Sequence, residues 1–553
     1  MKQNVAAVLL AGLCACSSAT PGPGAPGSDG SQPTLTIDTP TRGTTVDGQS
    51  VTVTGHATGG TGLHVTVNAT DVALASDGSF TTTLAVADGI DVIETHALDS
   101  ALHDVRDVRA VLAGALAPSD GTLAAPIGTH ASRAVLTTIA NTVATDAKAI
   151  DYTAVAQTLN PVYDNGGCLG ATVNITSVDL SDLDVTLDPQ TDALATAVTI
   201  TNVVVKLHAN FKVACIGGSG TITVSATKAH IKGNLGVSVR GGTLATSLPS
   251  TQVALDGFDL QVSGIPSQIS GLVEGTVRSK IESALGSAIQ SKVPSIANAK
   301  LAGLLANPIS TPLLGADTSL MITPTEATLS PTGLFIGVDT TVNVAGGGGG
   351  MFLTEATTSS AAMMDDSPNL GIAVANDLVN QLFAGLWAAG AFDKSVPLSQ
   401  LGPVAALLDP AGTKLVLTLS LPPTAATDPN GKLQLALGDA LISVQDDAGT
   451  ELQKFALSLQ TGVELAGTPS GTLTMALDTP TLYAQVLSQV DDGALPLTGT
   501  QIEGIATGAW GLISGQASDA LATLPLPSFA GIQLGSPTVM SASNYVVADV
   551  PLQ

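Results

Sequence analysis

Side chains able to make or break bonds are few and scattered in this 553-residue chain. Its seven histidines (His56, His64, His96, His103, His130, His208 and His230) all precede residue 231, so the C-terminal half cannot by itself supply a histidine to a hydrolytic triad. No Gly-x-Ser-x-Gly elbow and no His-Glu-x-x-His zinc helix occurs. The one Gly-Lys pair of phosphate-loop type, Gly431-Lys432, runs into Leu433 where a hydroxyl is needed. The acid pairs Asp365-Asp366, Asp446-Asp447 and Asp491-Asp492 fall in polar, loop-like stretches. Solvated turns are the expectation there, with a calcium ion as the sharper alternative to acid/base work. His56, His64, His96 and His103 lack the cysteine or carboxylate spacing of a metal centre, so surface or packing roles are expected. The expectation is a non-enzyme with no catalytic residue, no metal and no cofactor. An enzyme would need distant groups to converge on His130, His208 or His230.

The strongest chemical signal is at the N-terminus. Lys2, an apolar run from Val5 to Leu13, and then Cys14-Ala15-Cys16-Ser17 make an export-signal pattern. It resembles the bacterial lipobox, with Leu13 at −3, Ala15 at −1 and Cys16 as the acylated residue. Cys14 is the poorer acceptor because bulky Leu13 would then precede the cut, and an ordinary signal peptide cut nearby is the alternative. The implied protein has a signal peptide at 1–15 and sits in a bacterial cell envelope, lipid-anchored through Cys16. Ser17 resembles the class sorted to the outer membrane, with the face it occupies left open. Acyl chains on one cysteine tether a chain without a spanning helix. Residues 16–33, rich in Pro, Gly and Ser, read as a tether; Gly22-Pro-Gly-Ala-Pro-Gly27 matches a dinucleotide fingerprint but lacks the flanking strand and helix. Export also bears on the two remaining cysteines, Cys168 and Cys215. In an oxidising compartment they are expected to pair as a disulfide, with two buried free thiols as the alternative.

Composition limits the partners. The chain is 44% apolar and 12% charged, with a mean hydropathy of +0.39, which excludes a disordered chain. Beyond the N-terminus no apolar stretch approaches the ~20 residues of a membrane-spanning helix. Nineteen basic against 45 acidic residues give a net charge of −26, a poor match for nucleic acid. Eleven of the 19 basic residues lie in 114–345, the one segment near neutrality.

The elements that would position any site fall into three regions. In 34–113, Val51/Val53, Leu63/Val65/Val67 and Val72/Leu74 alternate, and Asp77-Gly78 and Asp88-Gly89 mark turns, so about seven short strands form a sandwich. Val65–Asn68, Asp77–Phe80, Asp88–Glu94 and Ala97–Asp99 resemble bacterial Ig-like modules. Such modules imply a spacer, or alternatively a module that binds protein or glycan. The remainder repeats one plan. Helix 131–159, strands over 171–262, a long helix over 266–293 and strands over 318–344 form a first unit (125–345). After a linker at 346–367, helix 372–392, alternating strands from Leu415 to Leu477, a long helix over 500–523 and strands over 531–550 form a second (368–553). The expected fold is α+β: two consecutive barrels of curved antiparallel sheet, each wrapped on a long helix, preceded by an all-β sandwich. Incomplete packing of helix against sheet would leave an apolar groove suited to acyl chains; a solid core is the alternative.

Three stretches carry a family resemblance. Arg278–Leu285 continuing to Lys292-Val293, Val374–Phe392, and the closing Leu524-Pro-Leu-Pro527 with Ile532–Leu534 and Asn544–Val550 resemble the tubular lipid-binding superfamily of bactericidal/permeability-increasing protein. The resemblance spans roughly 125–553 and implies a boomerang of two barrels that bind, and in some members transfer, lipids. Candidate pocket-lining residues are Leu272, Val273, Val277, Ile281 and Leu285, with Leu378, Leu382, Phe383 and Leu386 in the second unit. Two features differ from the family. Cys168 and Cys215 would make a differently placed staple, and Lys206, Lys212, Lys228, Lys232 and Arg240 are too sparse for the basic tip of endotoxin-binding members. The resulting expectation is a lipoprotein that binds a lipid or other hydrophobic small molecule, or alternatively an adhesive surface scaffold; protein partners are unassigned.

Overall fold

The computed structural model describes residues 32–302, 309–355, 360–364, 367–400, 402–428, 430–467, 473–490, 496–508, 510 and 535–551. The signal-like segment, Cys16 and nearly all of the tether lie outside the described residues, as does most of the expected second long helix. Of the latter, 499–508 is helical. No helix among the described residues is long and apolar enough to cross a membrane.

Eight strands form the N-terminal sandwich: β1 (Thr34–Thr39), β2 (Thr44–Asp47), β3 (Ser50–Thr58), β4 (His64–Val67), β5 (Thr70–Val72), β6 (Ser79–Ala85), β7 (Gly89–Leu98) and β8 (Asp104–Gly114). Sheet β1-β3-β6 packs on sheet β2-β8-β7-β4-β5. Val51, Val53, Val65 and Val67 lie in the core between them, as their alternation requires. Gly78 turns the chain at a φ of 81°, which only glycine adopts cheaply.

After β9 (Leu116–Pro118) and β10 (Thr122–Ser132), the first unit opens with α1 (Arg133–Lys148) and α2 (Tyr152–Gln157). The single helix expected over 131–159 is thus two helices, because Asp151 caps a fresh start by accepting from Ala154 N at 2.9 Å. The strands β11 (Tyr163–Asn165), β12 (Leu169–Asp179), β13 (Asp182–Gln190), β14 (Ala193–Val213), β15 (Ile216–Arg240), β16 (Thr243–Ser247), β17 (Thr251–Asp256) and β18 (Asp259–Ser263) form one sheet on the long β14–β15 hairpin. β14 buries Leu194, Thr196, Val198 and Ile200, then Val203, Val205, Leu207 and Ala209. The parity changes at Asn202, whose φ is 52°, and β15 changes parity opposite it between Ala226 and Ala229 with the register unbroken, so both strands keep an apolar face inward. Cys168 and Cys215 are disulfide-bonded across the end of the β12–β14 ladder, 47 residues apart in sequence. Replacing both with serine is expected to cost about 4 kcal/mol, from the loop entropy restored to the unfolded chain. Urea unfolding of the pair variant beside the oxidised protein measures it.

The inner face of that sheet is covered by α1 and by α3 (Ser267–Ala302), whose 36 residues extend about 54 Å. The helix runs past the expected end at 293 and through Pro294. A proline in a helix interior removes one hydrogen bond and strains another, which argues for a stop there. Burial overrides it, because Val277, Ile281, Leu285, Ile289, Val293, Ala297 and Leu301 form one buried stripe of four-residue period across the proline.

The halves are not consecutive separate barrels. Between them lies a sheet in the order β19-β20-β21-β10-β23-β32-β31, built from β19 (Ile309–Leu313), β20 (Ala316–Ser330), β21 (Gly333–Val344), β10, β23 (Leu370–Ala375), β31 (Thr538–Ala542) and β32 (Tyr545–Val550). The antiparallel β10–β23 pair is central, with Thr129 opposite Ile372. Its flanks mirror each other, β21 and β20 outside β10, β32 and β31 outside β23, which is the duplicated plan expressed in one sheet. The helix expected over 372–392 is therefore strand β23 followed by α5 (Asn376–Ala388). The stretch expected as a linker carries β22 (Met351–Leu353), paired with β9, and the short α4 (Ala361–Met364). Its glycines serve close approach: a Cβ on Gly347 would stand 2.5 Å from Gly385 O of α5.

The second-half sheet comprises β24 (Lys394–Pro397), β25 (Lys414–Leu419), β26 (Thr424–Thr427), β27 (Leu433–Gln445), β28 (Glu451–Gly467), β29 (Leu473–Leu477) and β30 (Thr481–Gln489). The strands follow the expected alternations at 415–419, 433–437, 455–459 and 473–477. The described residues are mostly strand with few helices.

Candidate functional site

Where α2 crosses α3 over the β12–β14 edge, the first half keeps an apolar recess of about 20 Å³. Its walls are Tyr152, Val155 and Ala156 of α2, Ile281, Ala284, Leu285 and Ala288 of α3, and Ile175, Val178 and Val205 of the sheet. The sole polar atom among those side chains, the Tyr152 hydroxyl, donates to Ala147 O at 3.1 Å. Burial pushes its pKa up to about 12, so it stays neutral. The recess offers a guest dispersion contacts and no hydrogen bond. Its volume is far below the roughly 300–1,000 Å³ of filled small-molecule sites, so a chain-like guest must part the walls.

Among the sequence candidates, Ile281 and Leu285 line this recess, and Val277 is buried one turn N-terminal of it in the same core. The side chains of Leu272 and Val273 lie outside the described residues. The four α5 candidates divide between two faces. Leu378, Leu382 and Leu386 pack with Val342 and Val344 of the shared sheet, whereas Phe383 faces Leu435, Val463 and Leu477 of the second half. They belong to two clusters that meet where the Phe383 ring packs edge-on against Phe392, centroids 6.4 Å apart. The α2 wall and the alanines at 284 and 288 had no distinguishing sequence signal, because small residues at four-residue spacing read as helix filler.

The N-terminal module is docked onto the outer face of β27 and β28 and does not stand apart as a spacer. Ile90, Ala110 and Leu112 pack with Leu353, Leu421 and Ala436, and a Cβ on Gly438 would lie 2.9 Å from that of Ala110. A buried ion pair closes this contact. Arg42 pairs with Asp439 and donates to Val108 O at 2.7 Å, while Asp439 accepts from Ala110 N at 3.1 Å. Burial raises the Asp439 pKa, and the Arg42 charge opposes that shift. Beside it, Arg106 pairs with Glu94 of its own module and reaches Glu503 of helix 499–508 at 2.8 Å. Gln460 donates to Ile90 O at 2.8 Å. The β27–β28 region is thus covered on both faces.

The module's histidines pair with acids: His64 with Asp71 at 2.8 Å, His103 with Asp99 at 2.9 Å, and His96 with both Asp104 at 2.9 Å and Glu94 at 3.4 Å. Among the described residues no three His, Cys, Asp or Glu side chains gather as a metal centre would require. Asp446 lies in a turn, accepting from Thr450 N at 2.7 Å, which holds its carboxyl below the usual range. Asp365, Asp366, Asp491 and Asp492 lie outside the described residues.

Compared with known proteins, residues 33–114 match the family model for domain B of glucodextranase. No curated protein sequence matches. Among solved structures the chain is similar to lipopolysaccharide binding protein (TM-score 0.41, 11% identity, covering 78% of this chain and 99% of that one). It is also similar to P47 from Clostridium botulinum A2 (TM-score 0.27, 10% identity, 76% and 96%). A third similar structure is latherin (TM-score 0.20, 17% identity, 32% and 87%).

Proposed function

We propose that this chain is an exported, non-catalytic lipoprotein, anchored through Cys16 in the bacterial envelope, that binds lipids or other hydrophobic molecules inside its helix-and-curved-sheet halves. Carrying such guests across an aqueous gap would be its use. The observation behind this reading is the wholly apolar recess between α2, α3 and the sheet, whose single hydroxyl is satisfied internally. Such a wall suits a hydrocarbon tail, which gains from burial and has no polar group to match. Ile281 and Leu285 would touch the guest first. Val277 would follow as the groove opens, and Leu272 and Val273 remain candidates from the sequence pattern. In the second half Leu378, Leu382, Phe383 and Leu386 are the corresponding candidates. A net charge of −26 disfavours nucleic acid as a partner.

The test is titration with cis-parinaric acid, a fluorescent 18-carbon fatty acid. Saturable binding is expected in the full chain. Ala284→Leu, which fills the recess from α3, should weaken that binding at least tenfold while costing about 1–3 kcal/mol of stability. The rival reading, a surface scaffold whose Ig-like module binds a protein or glycan, survives if the probe never binds.

A further inference from the structure

We propose that α2 is a lid over the apolar recess, latched to the free edge of β12 by the side chains of Thr153, Gln157 and Asn160, and that guests enter by its release. The proposal rests on the hydrophobic-binding reading and adds the route to it.

The argument begins with a sheet edge. β12 pairs with β14 along one side, and β11 covers only Ala171–Val173 on the other. From Ile175 to Val178 its outward backbone groups have no strand to meet, and a register shift between Ile175 and Ser177 bends the edge. An exposed edge of this kind must be covered or satisfied. Here side chains do it. Asn160 acts as a two-point clasp, its Nδ2 donating to Ile175 O at 3.0 Å and its Oδ1 accepting from Ile175 N at 2.7 Å. Gln157 Nε2 donates to Thr176 O at 3.2 Å. Thr153 Oγ1 donates to Val178 O at 3.3 Å and accepts from Val178 N at 3.0 Å.

All three latch residues lie on or just after one six-residue helix, whose adjacent side carries the recess wall formed by Tyr152, Val155 and Ala156. The attachment is therefore polar and the covered surface apolar. When α2 lifts, water replaces the side-chain hydrogen bonds at little cost, whereas Tyr152, Val155 and Ala156 lose burial unless a hydrophobic guest takes their place. Short flanks set the travel. Asp151 restarts the helix after α1, and Val162 N–H rejoins β12 at Val173 O, 2.9 Å away. A recess of about 20 Å³ under such a lid is closed to a chain and opens without disturbing the β14–β15 hairpin.

Stopped-flow mixing of the full chain with cis-parinaric acid tests the lid. Asn160→Ala removes both clasp bonds and is expected to speed probe association roughly tenfold, the size of one lost pair of side-chain–backbone hydrogen bonds. Thr153→Val removes the far end of the latch and should act in the same direction, which keeps the test open if Asn160→Ala folds poorly. Hydrogen exchange gives an independent readout: peptides spanning 150–160 and 174–179 should exchange faster in either folded variant, with 194–209 unchanged. Probe binding with wild-type association rates in both variants would overturn the lid and leave the binding reading intact. No probe binding in any form, including wild type, would overturn both.

Discussion

Arg42→Ala is expected to destabilise the protein by about 3–5 kcal/mol at pH 7, far more than a surface ion pair would. Asp439 is 1% exposed, so removing its paired cation leaves a buried carboxylate with the Ala110 N–H bond and only the more distant charge of Arg109 to support it. The deficit should depend on pH, and its sign follows from the direction of the shift. Burial already raises the Asp439 pKa, and losing Arg42 raises it further. A carboxyl with a folded-state pKa above its unfolded value favours the native state when protonated. The deficit should therefore shrink as pH falls from 7 through the variant's raised pKa, and level off once Asp439 is protonated in both folded proteins, because the unfolded-state terms cancel between them. Urea unfolding of both proteins at several pH values between 7 and 4 measures it. A deficit under 1 kcal/mol that ignores pH would mean that the module is not held on the second half by this pair.

Leu285→Asp should have the larger effect. The side chain closes the recess and also belongs to the main core, so the change loses a buried leucine and strands a carboxylate among aliphatic groups. A cost of roughly 5 kcal/mol or more is expected, enough to unfold the first half. Circular dichroism and limited proteolysis would detect it. Folded Leu285→Asp protein would mean that α3 borders a wide, wet groove in place of a packed interior. Together with Ala284→Leu, this substitution separates core from guest contact along one helix face.

How much of this was legible in the sequence follows from which surfaces each segment buries. The β14 and β15 strands bury one face, and in β25, β27, β28 and β29 a large apolar side chain recurs at every second position even where both faces are covered, so alternation announced them. The α3 stripe was legible up to Pro294, where a local rule pointed to a stop that tertiary burial overrode. Residues 372–375 were misread as helix because this strand has small or apolar residues on both faces, shows no alternation and merges with the apolar helix after it. Its boundary carries no cap, since Ala375 offers α5 no side-chain acceptor. The shared sheet was invisible because β10 and β23 pair across more than 200 residues and neither carries the alternation of a half-buried strand. Docking of the Ig-like module was hidden at Gly438-Asp439, which reads as a turn. There Asp439, at a φ of 47°, is a bulge that aims its carboxylate at Arg42. The recess was only partly legible, because the α3 stripe named Ile281 and Leu285 while the α2 wall gave no signal.

Organic extraction of natively purified protein, followed by lipid mass spectrometry, tests the central claim most directly. The account predicts releasable acyl lipid at a reproducible ratio, distinct from chains covalently bound at Cys16, and its loss in Ala284→Leu. Repeatedly empty protein that also takes up no cis-parinaric acid would contradict it.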